Sequence, residues 1–216
     1  MIGVGGLGSP AALYLAGAGI GHLGMVDSDK VELSNLQRQM LFTALDIGKP
    51  KVKVAEQRLR SLNPDTKITS YYLRLTSENI VSIIKNYDLV IDASDNFPTR
   101  YLVNGACVKT KKTLIHGAIF GFEGQVIVIK PGAGPCYCCL FPEPPPPGSV
   151  PSCQEAGVLG VVAGVIGLVQ ATEALKFVLE IGELLVGELI IFNALEMNFR
   201  KVKVPKDKNC PVCGKK

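Results

Sequence analysis

Two cations, Arg38 and Lys51, and two carboxylates, Asp27 and Asp95, accompany a glycine-rich opening, Gly3-Val4-Gly5-Gly6-Leu7-Gly8-Ser9-Pro10. Gly3, Gly5 and Gly8 keep the spacing G-x-G-x-x-G, and Gly6 adds a fourth glycine. A backbone without Cβ lets a phosphate approach closely, and the N-terminus of a following helix faces an anion with free N–H groups. Asp27, in Asp27-Ser28-Asp29, lies about 20 residues beyond the loop, where an acidic residue holds a ribose hydroxyl; a strand-end turn is the alternative, but glycine loop and acid together favour nucleotide binding. Asn35 and Arg38 lie three residues apart, on one face if helical. Lys51 follows in Gly48-Lys49-Pro50-Lys51, and Ser94-Asp95-Asn96 ends a later apolar segment. Together these groups suit a triphosphate. Arg38 and Lys51 neutralise phosphate charge, Asp95 can hold Mg²⁺, and Asp29 and Asn96 join the nucleotide set beside Asp27 and Asp95.

No G-K-[ST] motif is present, and no Ser–His–Asp order can be built. The histidines, His22 and His116, neighbour apolar strands without an obvious partner and read as structural. A carboxylate nucleophile needs no general base, because a terminal carboxyl with pKa near ~3.5 is already ionised at neutral pH. Its attack on an α-phosphate, expelling pyrophosphate, asks mostly for positioning and charge neutralisation. Arg38, Lys51 and Asp95 are therefore the catalytic candidates.

A second chemistry sits in the cysteines, seven in all. Cys136/Cys139 and Cys210/Cys213 form C-x-x-C pairs, each able to clamp one edge of a tetrahedral ion, so four thiolates would close a structural zinc site and staple the tail to the body. Redox dithiols and unpaired cysteines are the alternatives. Cys107 reads as core and Cys138 as surplus. Cys153, in Pro151-Ser152-Cys153-Gln154-Glu155, precedes a glycine-rich helix. A thiol at a helix N-terminus gains nucleophilicity; an incidental loop cysteine is the plainer reading.

The elements that must position these groups alternate. A helix follows the glycine loop, and Leu23 to Val26 make a strand ending at Asp27. The spacing predicts a helix from Val52 to about Leu62, a strand from Ile68 to Leu73 and a helix from Ser77 to Asn86. Leu89 to Ala93 is a continuous apolar strand, as in a parallel sheet covered on both faces. A helix from Thr99 through Val108 and a strand from Thr113 to His116 follow. This is a doubly wound, Rossmann-like α/β pattern with a mainly parallel sheet, and active groups belong at the carboxyl ends of its strands. Gly124 to Lys130 reads as a strand paired near Gly117–Gly121, and Gly187 to Phe192 with Phe199 to Val204 as an antiparallel hairpin. Gly157, Gly160, Gly164 and Gly167 share one helix face, suited to close packing or dimerisation more than to a peptide.

At 216 residues, with 47% apolar and 19% charged residues, the chain suits one ordered α/β domain over residues 1–216. A net charge of +4 is too mild to indicate nucleic acid. Ala156 to Thr172 carries no charge but is short for a membrane span and reads as a buried helix. No signal peptide is recognisable, which points to the cytoplasm and to cysteines that are not disulfide-bonded.

In order along nearly the whole chain, G-V-G-G-L-G-S-P, V-D-S-D-K-V-E-L-S-N-L-Q-R-Q, G-K-P-K, D-A-S-D-N, the C-x-x-C pairs and C-Q-E-A-G-V resemble the E1-like adenylyltransferases of the MoeB/ThiF/HesA family. The resemblance implies ATP-dependent adenylation of the C-terminal glycine of a ubiquitin-fold sulfur carrier, MoaD- or ThiS-like, in molybdopterin or thiamine biosynthesis. It implies ATP or Mg²⁺ contacts from Gly6, Asp27, Asn35, Arg38, Lys51 and Asp95, zinc on Cys136, Cys139, Cys210 and Cys213, and a homodimer. Cys153 would match the cysteine that some members use covalently in sulfur transfer. Family members carry a leading segment with an R-Y-x-R-Q-type motif and a full first strand. Here only Met1-Ile2 precede Gly3, so an N-terminally truncated chain is expected, with unpaired backbone on both neighbouring strands. The rival readings are a scaffold that binds the carrier without activating it and an NAD-dependent oxidoreductase, which leaves Arg38, Lys51 and the cysteines without purpose.

Overall fold

A computed structural model describes residues 1–146, 148–149 and 157–214. Strands β1 (His22–Val26), β2 (Lys67–Tyr71), β3 (Leu89–Asp92), β4 (Thr113–Phe120), β5 (Glu123–Ile129), β6 (Glu188–Asn193) and β7 (Asn198–Lys203) alternate at first with helices α1 (Gly8–Gly17), α2 (Lys51–Leu62), α3 (Ile80–Ile84) and α4 (Phe97–Thr110). Two further helices are α5 (Tyr137–Leu140) and α6 (Gly160–Leu179).

β1 pairs with β2 and β3 with β4, both parallel; β4, β5, β6 and β7 then follow in antiparallel order. The sheet is thus mixed, parallel as far as β4 and antiparallel in its C-terminal strands. β5 returns directly from β4 because Gly121 takes a left-handed φ of 57° at the turn. The β4 strand also runs on to Phe120, four residues beyond the expected end, because its last residues pair with β5.

The expected gap in the middle of the sheet is filled by Met1 to Gly3. Ile2 bridges Val26 of β1 and Asp92 of β3, both in parallel register. The Ile2 N–H donates to the Ile91 carbonyl at 2.8 Å, and the Gly3 N–H to the Val26 carbonyl at 2.8 Å. Val26 and Ala93 N–H groups donate back to the Met1 and Ile2 carbonyls at 3.0 and 2.9 Å. A very short extended segment therefore answers backbone groups on both neighbours, contrary to the expectation of unpaired edges.

Both faces of the sheet are covered. Along β3, Val90 points into a cluster with Ile80, Ile83 and Val103 of α3 and α4. The next residue, Ile91, points into a cluster with Leu15 of α1 and Ile166 of α6. This period-two alternation with both sides apolar is why the strand reads as an unbroken hydrophobic run. By length and composition α6 could cross a membrane. Here it packs against α1, β4 and β5. Its buried Gln170 donates to the Asp92 and Ile115 carbonyls at 2.7 and 3.2 Å, and its buried Glu173 accepts from the Leu185 N–H at 2.9 Å. The Gln170 amide nitrogen and the Glu173 carboxylate thus bond to the sheet and its connections, which ties the helix into the core.

Candidate functional site: a nucleotide cleft and a four-cysteine cluster

The loop into α1 is held by steric contact between its own glycines. Gly3 has φ of 86°, and a Cβ there would lie 2.8 Å from the Ala93 carbonyl oxygen. A Cβ on Gly8 would lie 2.2 Å from the Gly3 carbonyl oxygen. Neither position admits a side chain without moving the loop. α1 begins without a side-chain cap, so its first turn is left to other partners. The Val4 N–H is taken by the Asp27 carboxylate at 2.8 Å, and Ser9 N–H by the Gly5 carbonyl at 2.9 Å.

A cleft of about 350 Å³ opens above the loop at the carboxyl ends of β1 and β3. Gly3, Gly5, Gly6, Asp27, Asp29, Arg38, Lys51, Asp95 and Asn96 all line it. This volume lies in the range of small-molecule sites. Asn35 and Gly8 do not line it. Asn35 is buried, and its carbonyl accepts from the Arg38 and Gln39 N–H groups at 3.1 and 3.0 Å. It holds the turn that presents Arg38, after a short 3₁₀ segment at Leu33–Asn35 instead of the expected helical face. Gly8 supports the loop from behind, through Gly3.

Asp27 bridges the loop and its own strand end, accepting from the Val4 N–H and, at 2.8 Å, from the Asp29 N–H. Burial pushes its carboxyl above the ordinary range, against those two N–H groups and the Lys51 charge. Lys51 is buried and ion-paired with the exposed Asp29 at 3.0 Å. Because Asp29 is largely solvated, the pair is weak and the ammonium is free to be shared with an anion. Arg38 donates to the Ser34 carbonyl at 3.0 Å, and its stem packs over Gly6. Asp95 is exposed in the cleft, whereas Asn96 caps α4 by accepting from the Thr99 N–H at 3.0 Å.

The cleft also contains residues not singled out from spacing: Gln39, Arg74, Ser94, Thr99, Arg100 and Ile119. Gln39 stands inside the same S-N-L-Q-R-Q run as Arg38, and Arg100 one helical turn past Asn96, so proximity in sequence was the available signal. His116 does have a partner: its Nδ1 lies 2.8 Å from the buried Asp92 carboxylate. Burial raises the Asp92 pKa, but His116 and Ser94 outweigh it and hold the carboxyl below its usual range. The pair is buried behind the cleft wall.

The sulfurs of Cys136, Cys139, Cys210 and Cys213 lie within 4.8 Å of one another. Cys136–Cys210 and Cys139–Cys213 approach to 3.6 and 3.4 Å. A tetrahedral ion with metal–sulfur bonds of about 2.3 Å would set its ligands ~3.8 Å apart, so the donor set and its spacing fit zinc. Burial pushes the Cys136 thiol up; at Cys210 the N–H groups of Cys213 and Val212 and the neighbouring thiols outweigh burial and bring it down to about 7. Four thiols packed this closely cannot all ionise without a cation, which is what a metal supplies. Cys138 and Cys107, pushed up to about 12 by burial, stay thiols. Cys153 lies outside the described residues. Of the expected glycine face, Gly160 packs on the Gln37 carbonyl and Gly167 on the Leu7 carbonyl, which seats α6 against the cleft loops; Gly164 meets nothing within 4 Å.

Residues 1–212 match the model of the ThiF family. The chain is 54% identical to the "Sulfur carrier protein adenylyltransferase" of Thermus thermophilus, over 99% of this chain and 81% of that protein. It is 49% identical to the "SAMP-activating enzyme E1" of Haloferax volcanii, over 99% of this chain and 79% of that protein. It spans about half, 49%, of the Aedes aegypti relative named adenylyltransferase and sulfurtransferase MOCS3. Among solved structures, E. coli MccB with MccA-N7isoASN superposes with a TM-score of 0.86 at 25% identity, covering 99% of this chain and 66% of that one. The chain belongs to the ThiF family and is an adenylyltransferase of the E1-like activating kind.

Proposed function

We propose that residues 1–216 form one ATP-binding domain that adenylates the C-terminal glycine of a ubiquitin-fold sulfur carrier. The observation that carries this reading is the gathering of Gly3, Gly5, Gly6, Asp27, Arg38, Lys51 and Asp95 around one cleft. The Asp27 carboxylate has lone pairs left after accepting two N–H bonds, and these suit ribose hydroxyls. The first turn of α1 faces the phosphates, with Arg38 and Lys51 as their counter-charges. Asp95 holds Mg²⁺, which when bound neutralises charge on the triphosphate. The carrier's carboxylate oxygen bonds to the α-phosphorus, and the bond from that phosphorus to the bridging oxygen breaks. Pyrophosphate departs with the electron pair, leaving an acyl adenylate; no proton moves. His116, tied to Asp92 behind the wall, is not used.

The cysteine cluster binds zinc as a structural staple. Cys153 serves later sulfur transfer rather than adenylation. A homodimer in the cytoplasm remains part of this reading, and the carrier's pathway is that of molybdopterin or thiamine. The test is exchange of labelled pyrophosphate into ATP with Mg²⁺ and a carrier ending in Gly-Gly. Exchange that depends on the carrier supports adenylation. Carrier binding without exchange would instead favour a scaffold, and stabilisation by NAD but not by ATP–Mg²⁺ an oxidoreductase.

A further inference from the structure

Arg100 is a buried cation in the cleft wall, about nine-tenths removed from solvent. Its guanidinium donates to the Ser94 carbonyl at 3.4 Å and stacks on the Phe97 ring at 5.1 Å. Its Nε meets no acceptor among the described residues. The buried carboxylate of Asp92 is committed to His116, and no described carboxylate ion-pairs with Arg100. A guanidinium desolvated to this degree without an anion is costly, and the cost is recovered when an anion docks.

Its place in the cleft says which anion. Asp27, Asp29 and Lys51 stand at the β1 end, whereas Arg100 stands at the opposite end with Ser94, Thr99 and, from β4, Ile119. The sheet order sets β4 on the far side of β3 from the Ile2 seam and β1. A nucleotide whose ribose lies at Asp27 and whose phosphates cross the glycine loop leaves the Arg100 end to the second substrate. A planar guanidinium matches a carboxylate through paired N–H donors. Resting on the adenylation reading above, we propose that Arg100 is a further substrate-binding residue, which grips the C-terminal carboxylate of the acyl donor and aims it at the α-phosphorus. An α-phosphate offers a similar oxyanion, so the test must separate the two.

Carrier with a free C-terminal carboxylate and the same carrier as its C-terminal amide are titrated into protein loaded with non-hydrolysable AMPCPP and Mg²⁺, for the wild type, Arg100→Gln and Arg100→Lys. Loss of a charge-assisted contact predicts that Arg100→Gln weakens the free-acid carrier by about tenfold to a hundredfold. The amide should bind the wild type and the variant alike, and AMPCPP affinity should stay within about twofold. Arg100→Lys, which keeps charge without the fork, should fall between the two. Equal weakening of acid and amide overturns the proposal, because it marks Arg100 as structural. Weakened AMPCPP binding in both variants, whether from lost phosphate contact or from failure to fold, overturns it as well. Absence of carrier-dependent exchange in the wild type would instead sink the adenylation reading itself, which separates the two failures.

Discussion

Substituting Gly8 by alanine tests the idea that glycine-on-glycine contact shapes the phosphate cradle. The added Cβ would lie 2.2 Å from the Gly3 carbonyl oxygen and 3.0 Å from its carbon. An ordinary contact there is wider than 3.4 Å, so the loop and α1 must separate by roughly an ångström. Overpacking of this kind costs about 1–3 kcal/mol, which in a chain of this size lowers Tm by about 2–4 °C per kcal/mol. Gly3 cannot absorb the shift freely, because its own φ of 86° and the Ala93 carbonyl confine it. Function should suffer more than stability, since a displacement near 1 Å at a positioning element can cost about a hundredfold. The control is Gly105→Ala inside α4, where a Cβ meets nothing within 4 Å and φ is not left-handed. That change should stabilise the protein by about 0.5–1 kcal/mol. Thermal melts and calorimetric titration with ATP–Mg²⁺ read both quantities. A Gly8→Ala protein with wild-type melting and wild-type ATP affinity would refute the steric account of the loop.

Asp95→Ala should abolish pyrophosphate exchange while leaving the melt nearly unchanged, because among the described residues the exposed carboxylate hydrogen-bonds only the Asn96 amide, at 3.4 Å; normal turnover would remove Asp95 from the metal role. Stripping metal with a chelator, or Cys210→Ser, should lower Tm and open the chain beyond Val204 to proteolysis, and identical digestion patterns with and without chelator would argue against a staple. Acid should destabilise the protein through Asp46, which accepts from the Thr43 N–H at 2.9 Å and pairs with Arg58 at 2.5 Å. Burial opposes its ionisation, but these donors outweigh it and hold the carboxyl below its ordinary range. The folded pKa is depressed, so the contribution is complete above about pH 4 and is lost as pH falls through the folded value. Asp46→Asn should therefore flatten the acid limb of the stability profile, and an unaltered limb would contradict the pairing.

Much of this protein was legible in its residues. The run Leu89 to Ala93, the glycine loop and the Asp27 strand end are local patterns, and local patterns follow from pleat and helix periodicity without knowledge of partners. The C-x-x-C pairs likewise declare their chemistry, since each pair is set by the turn it spans. What spacing could not decide was every contact that depends on strand order. Met1 to Gly3 completes the sheet because β1 and β3 stand on either side of it, though three residues alone carry no strand pattern. Asn35 turned inward and Gly8 turned to support Gly3, because a 3₁₀ turn and the first helical turn aim side chains differently from an ideal helix face. Cys136 meets Cys210 across 74 residues only because the tail after β7 returns to α5. Arg100 acquired its place from burial against Ser94 and Phe97, and His116 its partner from the parallel register of β3 and β4. The sequence by itself determined the kinds of groups available to handle a nucleotide and to hold a metal. The tertiary structure decided which of them share one cleft, because side-chain convergence depends on packing between segments remote along the chain.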